Sequence, residues 1–172
     1  SDTVELTVGA RWYDIEVDFE GSANSSFYNG FGNPDTQQFG SNLSAQYAAG
    51  NANGYPDKAA SDGVIGKATL AWNKSEDVMM YVTWSEGFRP GLLNRPVGST
   101  SPDGSYSVKP EVKSDEVTNY EFGWKAVLQD GALRFNGSVF MVDISGLQST
   151  IFDPSIVNLF FSDNAADAEI LG

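Results

Sequence analysis

Asn119-Tyr120-Glu121-Phe122-Gly123-Trp124-Lys125-Ala126-Val127-Leu128-Gln129-Asp130-Gly131-Ala132-Leu133-Arg134-Phe135-Asn136-Gly137-Ser138-Val139 is the stretch that decides the fold. Tyr120, Phe122, Trp124, Ala126 and Leu128 recur at every second position, with Asn119, Glu121, Gly123 and Lys125 between them. A period of two puts successive side chains on opposite faces of a strand, so one face is apolar and aromatic and the other polar. Asp130-Gly131 supplies the positive φ angles that a primed hairpin turn requires. Alternation then resumes, with Leu133, Phe135, Gly137, Val139 and Met141 on one face and Arg134, Asn136 and Ser138 on the other. The stretch predicts an antiparallel pair over 116–128 and 133–147. Both strands exceed the ~5–6 residues usual in globular proteins.

The same period extends outward. Leu6, Val8, Ala10 and Trp12 share a face in a strand over 4–17, opposite Thr7, Gly9, Arg11 and Tyr13. A Gly-, Asn- and Ser-rich loop over 19–62 follows, with a short local helix expected near 43–49. A strand over 64–73 sets Val64, Gly66, Ala68, Leu70 and Trp72 against Lys67, Thr69 and Asn73. A polar turn at 74–77 leads into a strand over 78–87, with Val78, Met80, Val82 and Trp84 on one face. A second long loop, 88–114, carries Pro90, Gly91, Pro96, Gly98, Pro102, Gly104 and Pro110. After the central pair come a medium loop over 148–154, a sixth strand over 156–162, a turn at 163–166 and the start of a seventh strand at 168–172.

Composition excludes several functions. The chain of 172 residues has no cysteine and no histidine, which removes disulfides, thiolate and imidazole catalysis and the usual transition-metal ligands. With 10 basic against 23 acidic side chains the net charge is −13, unsuited to a row of phosphates, so no nucleic-acid partner is expected. No resident cofactor is implied either. Hydrophobic content of 41%, with 13% aromatics, argues for a folded chain. There is no apolar run near the ~18 residues of a membrane helix.

Long strands and alternating connections suit a different route across a bilayer. A tilted strand crosses with about 9–11 residues, and only a closed barrel satisfies its backbone there. Outer-membrane barrels have short turns at one end and long loops at the other, an apolar exterior and a polar interior. Trp12, Trp72, Trp84, Tyr120 and Trp124 are suited to the aromatic girdles, and Arg11, Lys67, Glu121, Lys125 and Arg134 to the lumen. About six strands make an arc of a larger barrel. The same alternation also builds soluble sandwiches, where the aromatic stripes would form a core.

Specific motifs favour the barrel. The segment Tyr81-Val82-Thr83-Trp84-Ser85-Glu86-Gly87-Phe88-Arg89-Pro90-Gly91 resembles a segment of TonB-dependent outer-membrane receptors. So do Val108-Lys109-Pro110-Glu111, Thr118-Asn119-Tyr120-Glu121-Phe122-Gly123-Trp124-Lys125, Asp130-Gly131-Ala132-Leu133-Arg134-Phe135-Asn136 and Phe140-Met141-Val142-Asp143-Ile144-Ser145-Gly146-Leu147-Gln148. Asn164-Ala165-Ala166-Asp167-Ala168-Glu169-Ile170-Leu171-Gly172 resembles the turn into a further strand. The ordered set carries the resemblance. It implies an all-β, antiparallel up-and-down transmembrane β-barrel of 22 strands around a plug, in the outer membrane of a Gram-negative bacterium. It implies active import driven by the TonB complex, with ligands such as ferric siderophores, haem, cobalamin or saccharides, and no enzyme activity. The plug, the TonB box and the final strand are not in this sequence. Residues 1–172 are therefore expected to be a middle-to-late barrel segment, contacting lipid outside and the protein's own plug inside. The alternatives are a passive outer-membrane channel and a secreted soluble β-domain that binds carbohydrate through loop aromatics.

Arg89, Arg95, Tyr28, Tyr47, Tyr55 and Tyr106, in the loops, are the candidate ligand contacts, because Arg suits the carboxylates of a metal chelate. Phe27, Phe31 and Phe39 share those loops. Asp14, Glu16, Asp18 and Glu20 alternate with apolar residues and read as a solvated strand extension, since an EF-hand would need Gly where Phe19 stands. The inward charges are expected to balance one another and to meet the plug. Glu121 and Asp143 are not read as a catalytic pair.

Overall fold

The computed structural model describes residues 3–18, 58–94 and 98–172. The expected helix near 43–49 and the candidates Tyr28, Tyr47, Tyr55 and Arg95 lie outside the described residues. The described residues are all-β. The strands are β1 (Thr3–Asp18), β2 (Lys58–Asn73), β3 (Val78–Arg89), β4 (Leu92–Leu93), β5 (Glu111–Val112), β6 (Asp115–Leu128), β7 (Leu133–Ser145), β8 (Gln148–Asp153), β9 (Val157–Asn164) and β10 (Ala168–Leu171). One antiparallel six-stranded sheet runs β1-β2-β3-β6-β7-β10, and β4-β5 and β8-β9 form two small ladders.

The large sheet is an up-and-down meander. At one end β2–β3 and β6–β7 are joined by four residues each, 74–77 and 129–132. At the other end the connections are 19–57, 90–114 and 146–167. The sequence reading missed part of this rhythm. The loop expected over 148–154 is largely strand β8. The sixth strand expected over 156–162 is β9, which pairs with β8 outside the wall. The sixth wall strand is β10, paired with β7. Periodicity marks a segment as strand, but its partner is a tertiary choice. β2 also begins six residues before the expected 64, because β1 pairs with it along its whole length from Lys58.

The 129–132 turn follows its sequence. Ala132 N–H donates to the Gln129 carbonyl at 3.1 Å, and Asp130 and Gly131 between them have φ of 53° and 93°, the signs of a type I′ turn.

Register sorts the side chains. Leu6, Leu70, Val82, Phe122 and Val139 lie opposite one another in a row across five strands. All five are between 41% and 64% exposed. Trp12, Trp84 and Tyr120 lie towards the long-loop end of this face, and Trp72 and Trp124 towards the short turns. A single sheet layer has no core of its own, and such an apolar surface requires lipid or another layer to cover it. The most completely buried apolar side chains among the described residues, Val108 and Val112, each 1% exposed, lie in the long-loop connection 90–114 instead.

The β2–β3 ladder runs only from Lys67↔Ser85 to Asn73↔Met79. Towards the long loops the strands part and side chains close the seam. Glu86 accepts the Gly66 N–H at 2.8 Å, and Ser61 Oγ accepts the Gly91 N–H at 3.0 Å. Tyr13 reaches across β2 to stack on Phe88, with ring centroids 3.6 Å apart. Gly63 permits this, because a Cβ there would lie 2.6 Å from Tyr13 Oη.

Candidate functional site

Two regions carry the residues singled out in the sequence: the polar face of the wall and the folded cap above it.

On the polar face Arg11, Lys67, Lys125 and Arg134 are all exposed. Lys67 lies opposite Gly9, and Arg11 opposite Ile65, so the two are diagonal neighbours. Lys125 lies opposite Asn136 and Arg134 opposite Val127, a second diagonal couple. Among the described residues these charges do not pair with one another. Among the described residues none of these four cations has an ion-pair or hydrogen-bond partner. Glu121 instead accepts the Tyr81 hydroxyl at 2.6 Å, while Thr69 and Thr83 share a hydrogen bond at 3.0 Å. Tyr81 lies opposite Gly123, whose missing side chain leaves room for the ring. The mismatch is geometric: on one face of a strand, Glu121 and Lys125 are four residues apart, about 13 Å.

The cap consists of 90–114 and 146–167. Val108, Val157 and Phe161 form its buried centre, with Tyr106, Ile151 and Ile156 packed against it. Asn94, 5% exposed, holds the connections together. Its amide donates to the Ser162 carbonyl at 2.8 Å and to the Lys109 carbonyl at 3.0 Å, and its oxygen accepts the Ser162 N–H at 2.8 Å. Asn164 does the converse, accepting the Lys113 N–H at 2.9 Å and donating to the Lys113 carbonyl at 3.0 Å. Tyr106 donates its hydroxyl to Asp163 at 2.9 Å, and Lys109 Nζ lies 3.1 Å from the same carboxylate. Burial, then the hydrogen bond to Asp163 and its charge, push the Tyr106 phenol up to about 12. At the loop tip Ser101 and Ser105 bond Asp103 and hold its carboxyl down at about 2.

Arg89 fastens the cap to the wall. It ion-pairs with Asp115, whose side chain is 1% exposed, with Nε 2.9 Å from Oδ2. Asp115 also accepts the Gln148 N–H at 3.1 Å, and the Gln148 side chain donates to the Pro90 and Lys113 carbonyls, each at 2.9 Å. Of the loop candidates, Arg89 and Tyr106 are thus engaged in the cap's own bonding. Sequence reasoning missed Asn94, Asn164 and Gln148. Their only signal was polarity within a loop, which many solvated residues share.

Lys58 Nζ pairs with Glu16 at 2.9 Å on the β1–β2 extension. Among the described residues no group of three or more acidic side chains is placed to hold a metal ion.

No curated protein and no solved structure matches this chain. The family described as "TonB dependent receptor-like, beta-barrel" matches residues 1–172. With a two-faced antiparallel meander and long loops at one end, the chain belongs to the TonB-dependent receptor β-barrel family, a family of outer-membrane receptors and transporters.

Proposed function

We propose that this chain supplies wall and outer loops to a receptor that imports a scarce nutrient across a Gram-negative outer membrane, most simply a ferric siderophore or similar metal chelate. The observation that carries this reading is the wall itself. An unbroken apolar row, Leu6-Leu70-Val82-Phe122-Val139, backs a face lined by Thr69, Thr83, Glu121, Lys67 and Lys125. The first face suits lipid and the second suits a wet interior holding a plug. On this reading 1–172 is a middle-to-late part of the barrel. Capture falls to the loops and the plug, release to TonB-driven rearrangement of the plug, and no bond of the ligand is made or broken.

Deletion of the gene in its native cell, under iron limitation, tests this. Loss of labelled ferric-chelate uptake, matched by loss on removing TonB, supports the proposal. Uptake independent of TonB would favour a passive channel. A product that refolds as a detergent-free monomer would favour a soluble β-domain.

A further inference from the structure

Alternation alone leaves the register of the wall open. Sliding a strand past its neighbour by two residues keeps every apolar side chain on the apolar face, so a period of two cannot choose among such registers. The four-residue turns 74–77 and 129–132 choose for β2–β3 and β6–β7. The ladders β1–β2, β3–β6 and β7–β10 are joined instead through 19–57, 90–114 and 146–167. Closing a connection of that length costs almost the same when it gains or loses two residues, so the loops do not choose.

Each of these three ladders carries the same arrangement on its polar face. Tyr13 lies opposite Gly63 and Tyr81 opposite Gly123. Phe140 lies opposite Gly172, joined to it by two backbone hydrogen bonds of 2.8 and 3.0 Å. In all three the aromatic side chain lies over its glycine, and a Cβ there would come under 3.0 Å from it. On the apolar face Trp84 covers Gly66 and Trp124 covers Gly137, in the two ladders that short turns already fix. A slip of two residues would put Glu121 or Lys125 opposite Tyr81, and Ser61 or Ile65 opposite Tyr13. Each of these has a side chain in the space the ring now occupies.

We propose that Tyr13–Gly63, Tyr81–Gly123 and Phe140–Gly172 are register locks. Each admits its ring over the neighbouring strand at one stagger only, and together they choose the register where the loops do not. Strand stagger, strand tilt and barrel diameter are linked, so the locks set this arc's share of the lumen's width. The inference goes beyond the import reading and does not depend on the cargo.

The test uses the β3–β6 ladder of the full-length receptor in its outer membrane. This segment has no cysteine, so pairs of thiols report register once any elsewhere in the receptor are replaced. Ser85→Cys with Asn119→Cys reports the register seen here. Ser85→Cys with Val117→Cys, and Met79→Cys with Val127→Cys, report slips of two residues in either direction. In the unslipped register these last pairs are diagonal, about 7–8 Å apart and too far for a disulfide. Arg89 and Asp115 bridge the same ladder, so every variant also carries Arg89→Met with Asp115→Leu.

With Tyr81 present, oxidation should join only Ser85→Cys to Asn119→Cys. Tyr81→Ala should raise the ratio of slipped to unslipped disulfide by about ten-fold. Tyr81→Phe should leave it unchanged, because the ring remains although the hydroxyl that bonds Glu121 is gone. Tyr81→Gly with Gly123→Tyr, which seats the ring from the other strand, should restore the single register. An unchanged ratio in Tyr81→Ala would overturn the proposal, leaving the ring a stabilising contact only. So would slippage in Tyr81→Phe, which would make the Glu121 bond the determinant. Where Tyr81→Ala does not reach the membrane at all, the exchanged pair decides: assembly in one register supports the lock, and failure to assemble overturns it.

Discussion

Asn94 and Asn164 clamp each other's loops. Asn94, in the 90–114 connection, holds both polar groups of the Ser162 backbone, and Asn164, in the 146–167 connection, holds both of Lys113. Each amide supplies a donor and an acceptor, as a neighbouring strand would. Asn94→Ala should destabilise the cap by about 1–2 kcal/mol, because the part-buried backbone groups at Ser162 lose their partners. Amide exchange at Ser162 and nearby residues should accelerate, with exchange across β6–β7 unchanged. Acceleration of both together would mean that cap and wall unfold as one unit.

Arg89→Ala leaves the Asp115 carboxylate enclosed without its cation. The cost should be about 2–3 kcal/mol, below that of a fully buried pair because half of the Arg89 side chain is open to solvent. Arg89→Met with Asp115→Leu should recover much of it. Denaturant midpoints of the single and double variants in detergent micelles measure this.

The cap should be most firmly ordered between about pH 4 and pH 10. Burial raises the Asp163 carboxyl, but hydrogen bonds from Tyr106, Lys109 and the Asn164 N–H outweigh burial and lower it below its ordinary 3.8. A lowered carboxyl contributes stability fully above that ordinary value and loses it as pH falls through the folded-state value. Tyr106 has the opposite sense. Its contribution holds below the ordinary 10.0 and is lost as pH rises towards about 12. Protection of the Val108 N–H, which donates to the Ser99 carbonyl at 2.9 Å, should therefore fall at both extremes after correction for intrinsic exchange.

Gly131 takes φ of 93°, a region that L side chains rarely adopt. Gly131→Ala should cost about 1–2 kcal/mol, read as a lower midpoint for refolding into lipid vesicles. Asp130→Gly should be tolerated, since glycine adopts positive φ freely.

The two faces should respond differently to charge. Phe122→Arg, in the middle of the apolar row, should destabilise the barrel by about 2–4 kcal/mol in a bilayer. Asn136→Arg on the polar face should change stability little and assemble normally. Equal penalties would show that both faces are buried in protein.

The wall was legible because each constraint on it is local. The alternation from Tyr120 to Leu128 survives any choice of neighbour, and Asp130-Gly131 sets its turn with two residues. The cap was not legible. Gln148 to Asp153 and Val157 to Asn164 look like a loop and a membrane strand, because hydrophobic period names the element but not its partner. Arg89 drew notice by residue type, but its fastening to Asp115 needs residues 26 apart to meet.

By itself the sequence determined the strand period, the apolar and polar stripes, the Asp130-Gly131 turn and, through ordered motifs from Tyr81 to Gly172, the family. All are properties of neighbouring residues and of backbone sterics. Only the tertiary structure decided that β10 rather than β9 joins the wall, that Asn94 and Asn164 clamp two distant loops, and that Glu121 meets the Tyr81 hydroxyl. Those facts depend on register, and register is fixed by which strands pair, a long-range choice that no window of sequence contains.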